Sequence, residues 1–299
     1  MGNKTKSRIV DALCLTLAIL PLVLAMVLKV LTNPPSEGVS ITGALVYFTV
    51  KMPLQDWPVS EAQVNTVAVM LSMLGWCLYL THGLQVIPNS KRQIIAEWIV
   101  EKTTNLVRNS MGERFMMYVP FVAAIMGLSA LSSLTSLLGL FPPTSDLNIV
   151  AGWAILVFIL ITYYKLQGGL WPYIKGFFTP VPLFAPMNVL GEIATPVSMS
   201  FRHYGNVLSG VIISILVSTA LKGLSAKVLG WLPGVLGQFP LFQIGIPAIL
   251  SLYFDLFSGC MQAFIFAMLT MLNIALGFPE EDYERRQAKK RKKASLQKA

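Results

Sequence analysis

A single arginine lies inside an apolar run that is long enough to cross a lipid bilayer. Arg202 is near the middle of residues 194–220, which otherwise form one hydrophobic segment. Arginine does not lose its proton at physiological pH, so it is among the most costly side chains to place in hydrocarbon. The simpler alternative is that the side chain snorkels to an interface, but its central position leaves both ends of the run distant. We therefore interpret Arg202 as a functional charge.

The helix that carries Arg202 is predicted to have one polar stripe along an apolar surface. At about 100° per residue, four polar side chains fall within about 40° of Arg202. They are Thr195, Ser198, Asn206 and Ser209. Val211 and Leu216 point elsewhere, and His203 points about 100° away, so we expect His203 to be peripheral to the site.

The composition assigns the chain to the membrane proteins. Hydrophobic residues make up 55% of its 299 residues and charged residues only 12%, which is too few charges to cover a soluble globule of this size. We predict an all-α polytopic membrane protein with about six transmembrane helices, the last two long, and an amphipathic surface helix at residues 90–111. The predicted spans are residues 9–31, 62–81, 115–140, 149–165, 194–220 and 241–276.

The segments between the spans are predicted from their breakers and charges. Residues 33–60 read as a turn-rich loop outside the membrane with a short hairpin at residues 44–50, and residues 167–186 as a segment along the interface. Residues 222–240 read as a loop, and residues 279–299 as a basic tail.

Several features have simple interpretations. The first span could be a signal peptide, but it is long for one and no A-x-A cleavage pattern follows it, so we favour a retained helix. His82 lies at a span boundary with no acidic partner nearby in sequence, which favours an interfacial residue. Cys14, Cys77 and Cys260 lie in separate apolar segments and predict neither a disulfide nor a metal site. We expect no cofactor.

Six spans place both termini on the same side of the membrane, and the positive charges follow this division. Apart from Arg202, few of the 23 Lys and Arg lie on the opposite side: Lys29, Lys51, Lys222 and Lys227. This asymmetry predicts that both termini are cytoplasmic. We expect the basic tail to contact anionic lipid or a partner subunit in preference to nucleic acid.

The last span supplies further polar groups. Asp255, Gln262 and Asn273 lie within about 20° of one face of a regular helix. A carboxylate in this setting requires water or a cation, although it could also pair with a buried donor for packing alone. Together with Arg202, these residues predict an ion path between two adjacent antiparallel helices.

At these residues the sequence resembles subunit a of bacterial F-type ATP synthases. PVSMSFRHYGNVLSG is similar to the arginine helix of that family, and FDLFSGCMQAFIFAMLTMLNIA to its last helix, and the resemblance covers residues 62–278. It implies that Arg202 faces a rotating ring of c subunits, with Asn206 and Gln262 as neighbours and Glu192 on the cytoplasmic access path. The last two helices would be tilted against that ring, and residues 61–278 would form the membrane domain.

The resemblance also implies the assembly and the place of the protein. One copy would join the c-ring, subunit b and the F1 head in the bacterial plasma membrane, with residues 1–32 as an extra N-terminal helix, residues 33–60 extracytoplasmic and residues 279–299 cytoplasmic. Val211 stands where many members of the family have an acid, and Asp255 where the family often has histidine or an acid. We therefore expect the outer carboxylate to have moved to the last helix.

The predicted function is that of an ion-conducting stator subunit with two half-channels, which couples ion flow to rotation and to ATP synthesis without catalysis of its own. No P-loop, GxSxG or HExxH motif occurs in the chain. The alternative is a secondary ion transporter in which Arg202 and Asp255 form a gating pair, although no inverted repeat is visible. An intramembrane enzyme would need a Ser/His or Asp/Asp pair at a workable spacing. The choice between H⁺ and Na⁺ stays open.

Overall fold

The computed structural model describes residues 2–32, 43–53, 55–88, 90–179, 181–230, 242, 245–281, 283–286 and 288. Within these residues the chain is almost entirely helical. The α-helices are α1 (Gly2–Thr32), α2 (Glu61–Thr81), α3 (Lys91–Met111), α4 (Val119–Leu134), α5 (Leu147–Gln167), α6 (Leu170–Phe177), α7 (Ala185–Leu229), α8 (Ile246–Ser251) and α9 (Gly259–Gly277).

Six helical segments of the described chain are long and apolar enough to cross a membrane, which confirms the predicted all-α polytopic fold. They are Ser7–Thr32, Glu61–Thr81, Glu113–Leu138, Leu147–Gln167, Pro182–Leu229 and Ile246–Gly277. Consecutive spans alternate in direction, so the bundle has two ends. We call the end that holds the start of α1 and the end of α5 the first face, and the opposite end, at the start of α2, the second face.

The arginine-bearing helix α7 is longer than we predicted. It contains 45 residues and includes Pro196. At 1.5 Å per residue it is about 68 Å long, roughly twice the thickness of a hydrocarbon core. The prediction of a loop from residue 222 was wrong for residues 222–229, because Lys222 and Gly223 interrupt the hydrophobicity without breaking the helix. Residues 231–240, which complete that predicted loop, lie outside the described residues.

Two predicted segments have different local structures from those expected. Residues 44–50 are not a hairpin by themselves: β1 (Val46–Val50) pairs antiparallel with β2 (Trp57–Ser60), so the hairpin extends to residue 60 and leads directly into α2. The predicted interfacial segment 167–186 contains α6, a short 3₁₀ turn at Pro182–Phe184 and the start of α7.

The last span is not one regular helix. α8 leads into a π-helical segment, Leu252–Ser258, and then into α9. Because a π-helix has a wider turn than an α-helix, the 100° rule cannot be extended from Asp255 to Gln262. The helical-angle argument for a common face therefore applies to Gln262 and Asn273, which both lie in α9, and not to Asp255.

The core of the bundle lies between α3, α4, α5 and α9. Its largest fully buried side chains include Phe266 and Met271 of α9, which pack with Val122 of α4 and Val157 of α5. One face of α9 is therefore buried against its neighbours, and Gln262 lies on that face.

Helix α1 is packed closely against α2. A Cβ atom placed on Gly75 of α2 would lie 2.4 Å from the backbone nitrogen of Ala18 in α1. The hydroxyl of Ser72 donates a hydrogen bond of 2.6 Å to the carbonyl oxygen of Ala18. Such close approach of backbones through a small residue is a common device for helix association in membranes.

Ion pairs join α1 to its neighbours at both faces. At the first face, Asp11 Oδ1 lies 2.7 Å from Arg92 Nη1 and 2.9 Å from His82 Nδ1. At the second face, Lys29 Nζ lies 3.0 Å from Glu61 Oε1. His82 therefore has an acidic partner that its neighbours in sequence did not reveal, because the partner comes from a different helix. The two charges that interrupt the first apolar run are thus both paired.

The contact at Gly75 predicts the effect of a single methyl group. Gly75→Ala is expected to destabilise the protein by about 1–3 kcal/mol, because the new Cβ collides with the backbone of α1 and forces the helices apart. The measurement is the thermal unfolding midpoint in detergent. Gly152→Ala is the matched control, since nothing lies within 4 Å of its added Cβ. Equal midpoints for both variants would contradict this packing.

Candidate functional site

Arg202 lies on the outer surface of the helix bundle, in the middle part of α7. Its side chain is exposed, and it makes no hydrogen bond or ion pair with any residue that the structure describes. An arginine within a membrane span normally pairs with another group or faces water, because an isolated charge in lipid is costly. Within the described residues, Arg202 has no such partner.

Two of the predicted neighbours of Arg202 are brought together by the fold. Asn206, one turn further along α7, donates from Nδ2 to Gln262 Oε1 of α9 at 3.5 Å. Gln262 is only 3% exposed, so its amide is held within the bundle. Ser209 is exposed and donates to the carbonyl oxygen of Asn206 at 3.0 Å. The arginine-bearing surface thus lies next to a polar contact between α7 and α9.

Glu192 lies at the first face in an ion pair that the sequence did not reveal. Its two carboxylate oxygens are 2.8 and 2.9 Å from Lys165 Nζ at the end of α5. The hydroxyl of Tyr173 in α6 donates to Glu192 Oε1 at 3.4 Å. Burial and the negative charge of Glu192 raise the pKa of Tyr173, so this hydroxyl keeps its proton and remains a donor.

These groups line a cavity of about 600 Å³ at the first face. The cavity is bounded by α5, α6, α7 and α9, and its polar lining includes Lys165, Tyr173, Asn188, Glu192, Thr195 and Asn273. Asn273 also donates from Nδ2 to Met199 Sδ at 3.7 Å. A space of this size with charged walls can hold several water molecules. It reaches from Glu192 towards the α7–α9 contact.

Asp255 is placed on the opposite side of the polar contact, in the π-helical segment. Its Oδ2 accepts a hydrogen bond from Ser251, one turn earlier. It forms no ion pair with Arg202. The adjacent Phe254 packs against Gly210 of α7, where an added Cβ would lie 3.0 Å from the Phe254 Cβ. Asp255 is therefore level with Gly210 and Val211, nearer the second face than Arg202.

His203 is buried, although we expected it to be peripheral. It is fully enclosed, with Nε2 3.3 Å from Ser129 Oγ of α4. Its ring meets Trp153 of α5 and Phe266 of α9 edge to face, with centroid distances of 6.0 and 5.4 Å. A side chain that lies 100° around the axis of α7 from the exposed Arg202 points into the bundle. Helix geometry supplied that angle, but it could not indicate where the neighbouring helices lie.

Comparison with known proteins identifies the family. The family model described as ATP synthase A chain matches residues 63–275, which is more than half of the chain. The chain belongs to this family. The match includes α2 through almost all of α9 and every candidate site residue: Glu192, Arg202, Asn206, Ser209, Asp255 and Gln262.

Curated bacterial relatives agree with this assignment. ATP synthase subunit a of Bacillus pumilus is 31% identical, with 72% of this chain and 90% of the relative covered. The corresponding protein of Alkalihalophilus pseudofirmus is 33% identical, with 75% and 96% covered. A relative from Propionigenium modestum, named as sodium ion specific, is 30% identical, with 76% and 77% covered. The chain is thus a multi-pass membrane protein of the Fo part of ATP synthase, which translocates ions.

Proposed function

We propose that this subunit conducts ions through two half-channels to and from the carboxylates of a c-ring and acts as the stator against which the ring turns. The observation that carries the proposal is Arg202, an exposed cation in the middle part of a membrane span with no ion pair among the described residues. A ring carboxylate that rotates past α7 would supply the partner that the described chain lacks. Arg202 would then face lipid only while no ring carboxylate is opposite it.

The chemistry of such an encounter follows from charge. A carboxylate surrounded by lipid keeps its proton or binds a cation, because its charged form is poorly solvated. A guanidinium beside it favours the free anion, so the ion is released into an adjoining path. Arg202 also repels cations, so ions cannot pass directly from one half-channel to the other. Ion flow then requires rotation of the ring.

The cavity around Glu192 is proposed as the cytoplasmic half-channel. It lies at the first face, where the excess of Lys and Arg indicates the cytoplasm, and this orientation puts both termini on that side. Glu192 offers a carboxylate to an ion, while Lys165 and Tyr173 hold it in position. Asn206 and Gln262 separate this cavity from the second face and help to position the ring-facing surface.

Asp255 is proposed as the carboxylate of the outer half-channel, in place of an acid at Val211. Asp255→Asn is expected to slow ATP-driven ion pumping several-fold without loss of assembly, since the amide fills the same space but cannot exchange a proton. Adding Val211→Glu should recover part of the rate, because residue 211 is at the same depth. Pumping by inverted vesicles is measured across a range of pH. Wild-type rates for Asp255→Asn would assign Asp255 to packing with Ser251.

The alternative function, a secondary transporter with an Arg202–Asp255 gating pair, has less support. Asp255 accepts a hydrogen bond from Ser251, and the two proposed gate residues form no ion pair. The family match also favours a subunit of a larger complex. We propose that the chain itself is non-catalytic, with one copy per complex in contact with the c-ring, subunit b and lipid, and linked through them to the F1 head.

Purification of the tagged chain from its native membrane tests the proposed function. The c-ring, subunit b and the soluble ATPase head are expected to co-purify in mild detergent, and the isolated chain in liposomes is expected to exchange no ions. A tagged subunit b provides the reciprocal purification. Ion exchange by the chain alone, without ring or head subunits, would contradict the stator function and favour a transporter.

A further inference from the structure

A run of buried hydroxyl groups leads along α4 from the second face into the bundle. Ser129, Ser132 and Ser133 are each at most 2% exposed. They are followed by Thr144 and Ser145 in the 3₁₀ turn before α5, which are 0% and 6% exposed. A buried serine or threonine on a helix commonly donates to the backbone carbonyl of its own helix one turn earlier.

The run ends at His203. Ser133 Oγ lies 3.3 Å from Thr144 Oγ1 and donates to the carbonyl oxygen of Ser129 at 3.1 Å. Ser129 Oγ in turn lies 3.3 Å from His203 Nε2. These polar groups therefore follow one another in space from the turn at the second face to His203, the residue next to Arg202 in the chain.

Three polar atoms of this region have no hydrogen-bond partner among the described residues although they are buried. They are Ser132 Oγ, Ser145 Oγ and His203 Nδ1. Buried polar groups without protein partners are the usual binding sites of internal water molecules. Within α4, α5 and the part of α7 that follows Arg202 there is no carboxylate, although Asp146 directly follows Ser145 at the outer end of the run. His203 is the histidine at the inner end of the hydroxyl run.

We propose that His203 is a proton relay at the inner end of a path that runs along the buried hydroxyls of α4 from the second face. This inference rests on the proposed function and specifies how the outer half-channel reaches the level of Arg202. With neutral His203 protonated at Nδ1, Nε2 accepts a proton from the Ser129 side, and Nδ1 releases its proton to the internal water molecule inferred beside it. The ring then returns to its first tautomer before the next proton arrives. No net charge stays on the ring, and no other reactant is consumed.

The chemistry of the path favours protons over sodium ions. A sodium ion would need several oxygen ligands at every step, and a transiently charged imidazole would repel it. The side chains that meet His203 include Ser129 from α4, Trp153 from α5 and Phe266 from α9, and none of these three titrates near neutral pH. On its own helix, Arg202 is the adjacent charge. It would oppose a lasting positive charge on His203 and so favour rapid release.

The test is His203→Gln in the complete complex. The amide can still bond to Ser129 but cannot relay a proton. Passive proton conductance of vesicles stripped of the ATPase head is expected to fall by at least about tenfold. His82→Gln is the matched control, because it changes the other histidine of the chain, far from this path, and is expected to conduct like the wild type. Assembly is measured by co-purification of the c-ring.

Two further variants separate a relay from a packing role. His203→Ala leaves space beside Ser129, and added imidazole is expected to restore its conductance, whereas Arg202→Ala is expected to gain nothing. Ser129→Ala removes the oxygen next to Nε2 and should lower conductance several-fold even if the His203 variants do not assemble. Wild-type conductance in assembled His203→Gln, or in Ser129→Ala, would overturn the relay. Normal pumping by Arg202→Ala would instead overturn the proposed function itself.

Discussion

Arg202→Ala is expected to abolish ATP-driven ion pumping while the complex still assembles. The side chain is exposed and has no partner in the described chain, so its removal leaves no hole and no unpaired group within the bundle. What is lost is the cation opposite the ring carboxylate, on which ion release depends. Pumping by inverted vesicles and the yield of the purified complex are measured together.

Arg202→Lys is expected to lose most of the activity as well. Lysine keeps a positive charge, but its side chain has a shorter reach and its ammonium can lose its proton in a poorly hydrated site. It also lacks the planar guanidinium that binds a carboxylate through two hydrogen bonds. Lys227→Ala is the matched control, because it removes a cation from the last turn of the same helix. Normal pumping in an assembled Arg202→Ala complex would refute the proposed function.

The sequence predicted the features of this structure that depend on the residues within a single helical segment. The six spans follow from the length of the apolar runs, which is a property of each segment alone. The family resemblance, and not helix geometry, suggested that Asn206 and Gln262 lie near each other, and the two side chains are in contact. The start of α5 also depends on local sequence, because Asp146 follows two prolines and, as an N-cap residue, accepts a hydrogen bond from the Asn148 amide at 2.9 Å.

Features that depend on packing between distant segments were not predictable. The Lys165–Glu192 pair joins residues 27 positions apart, and Asp11 pairs with residues more than 70 positions away. The only signal was that each pair lies at the same end of two spans. Angles around a helix likewise gave the direction of His203 but not the presence of α4 and α9 on that side. The π-helical turn has no sequence signature that would have corrected the position of Asp255.

The Lys165–Glu192 pair offers the second large effect. Lys165→Glu replaces the ammonium, which lies 2.8 Å from Glu192 Oε1, with a second carboxylate. The two side chains are 29% and 14% exposed, so the loss of the pair and the new repulsion are expected to cost about 1–3 kcal/mol, less than for a fully buried pair. We expect a low yield of the complex and almost no ion conductance. Lys165→Gln, which adds no charge, should be much milder.

The exchange of the two residues separates pairing from position. Lys165→Glu combined with Glu192→Lys restores one ion pair, so the yield of the complex should return towards that of the wild type. Conductance should stay low, because the carboxylate has moved from α7 to α5 and no longer lies on the helix that carries Arg202. Glu192→Gln alone should reduce conductance in a complex of normal yield. If the exchanged variant conducts like the wild type, Glu192 serves only to hold α5 and α7 together, and the first-face cavity conducts ions through water alone.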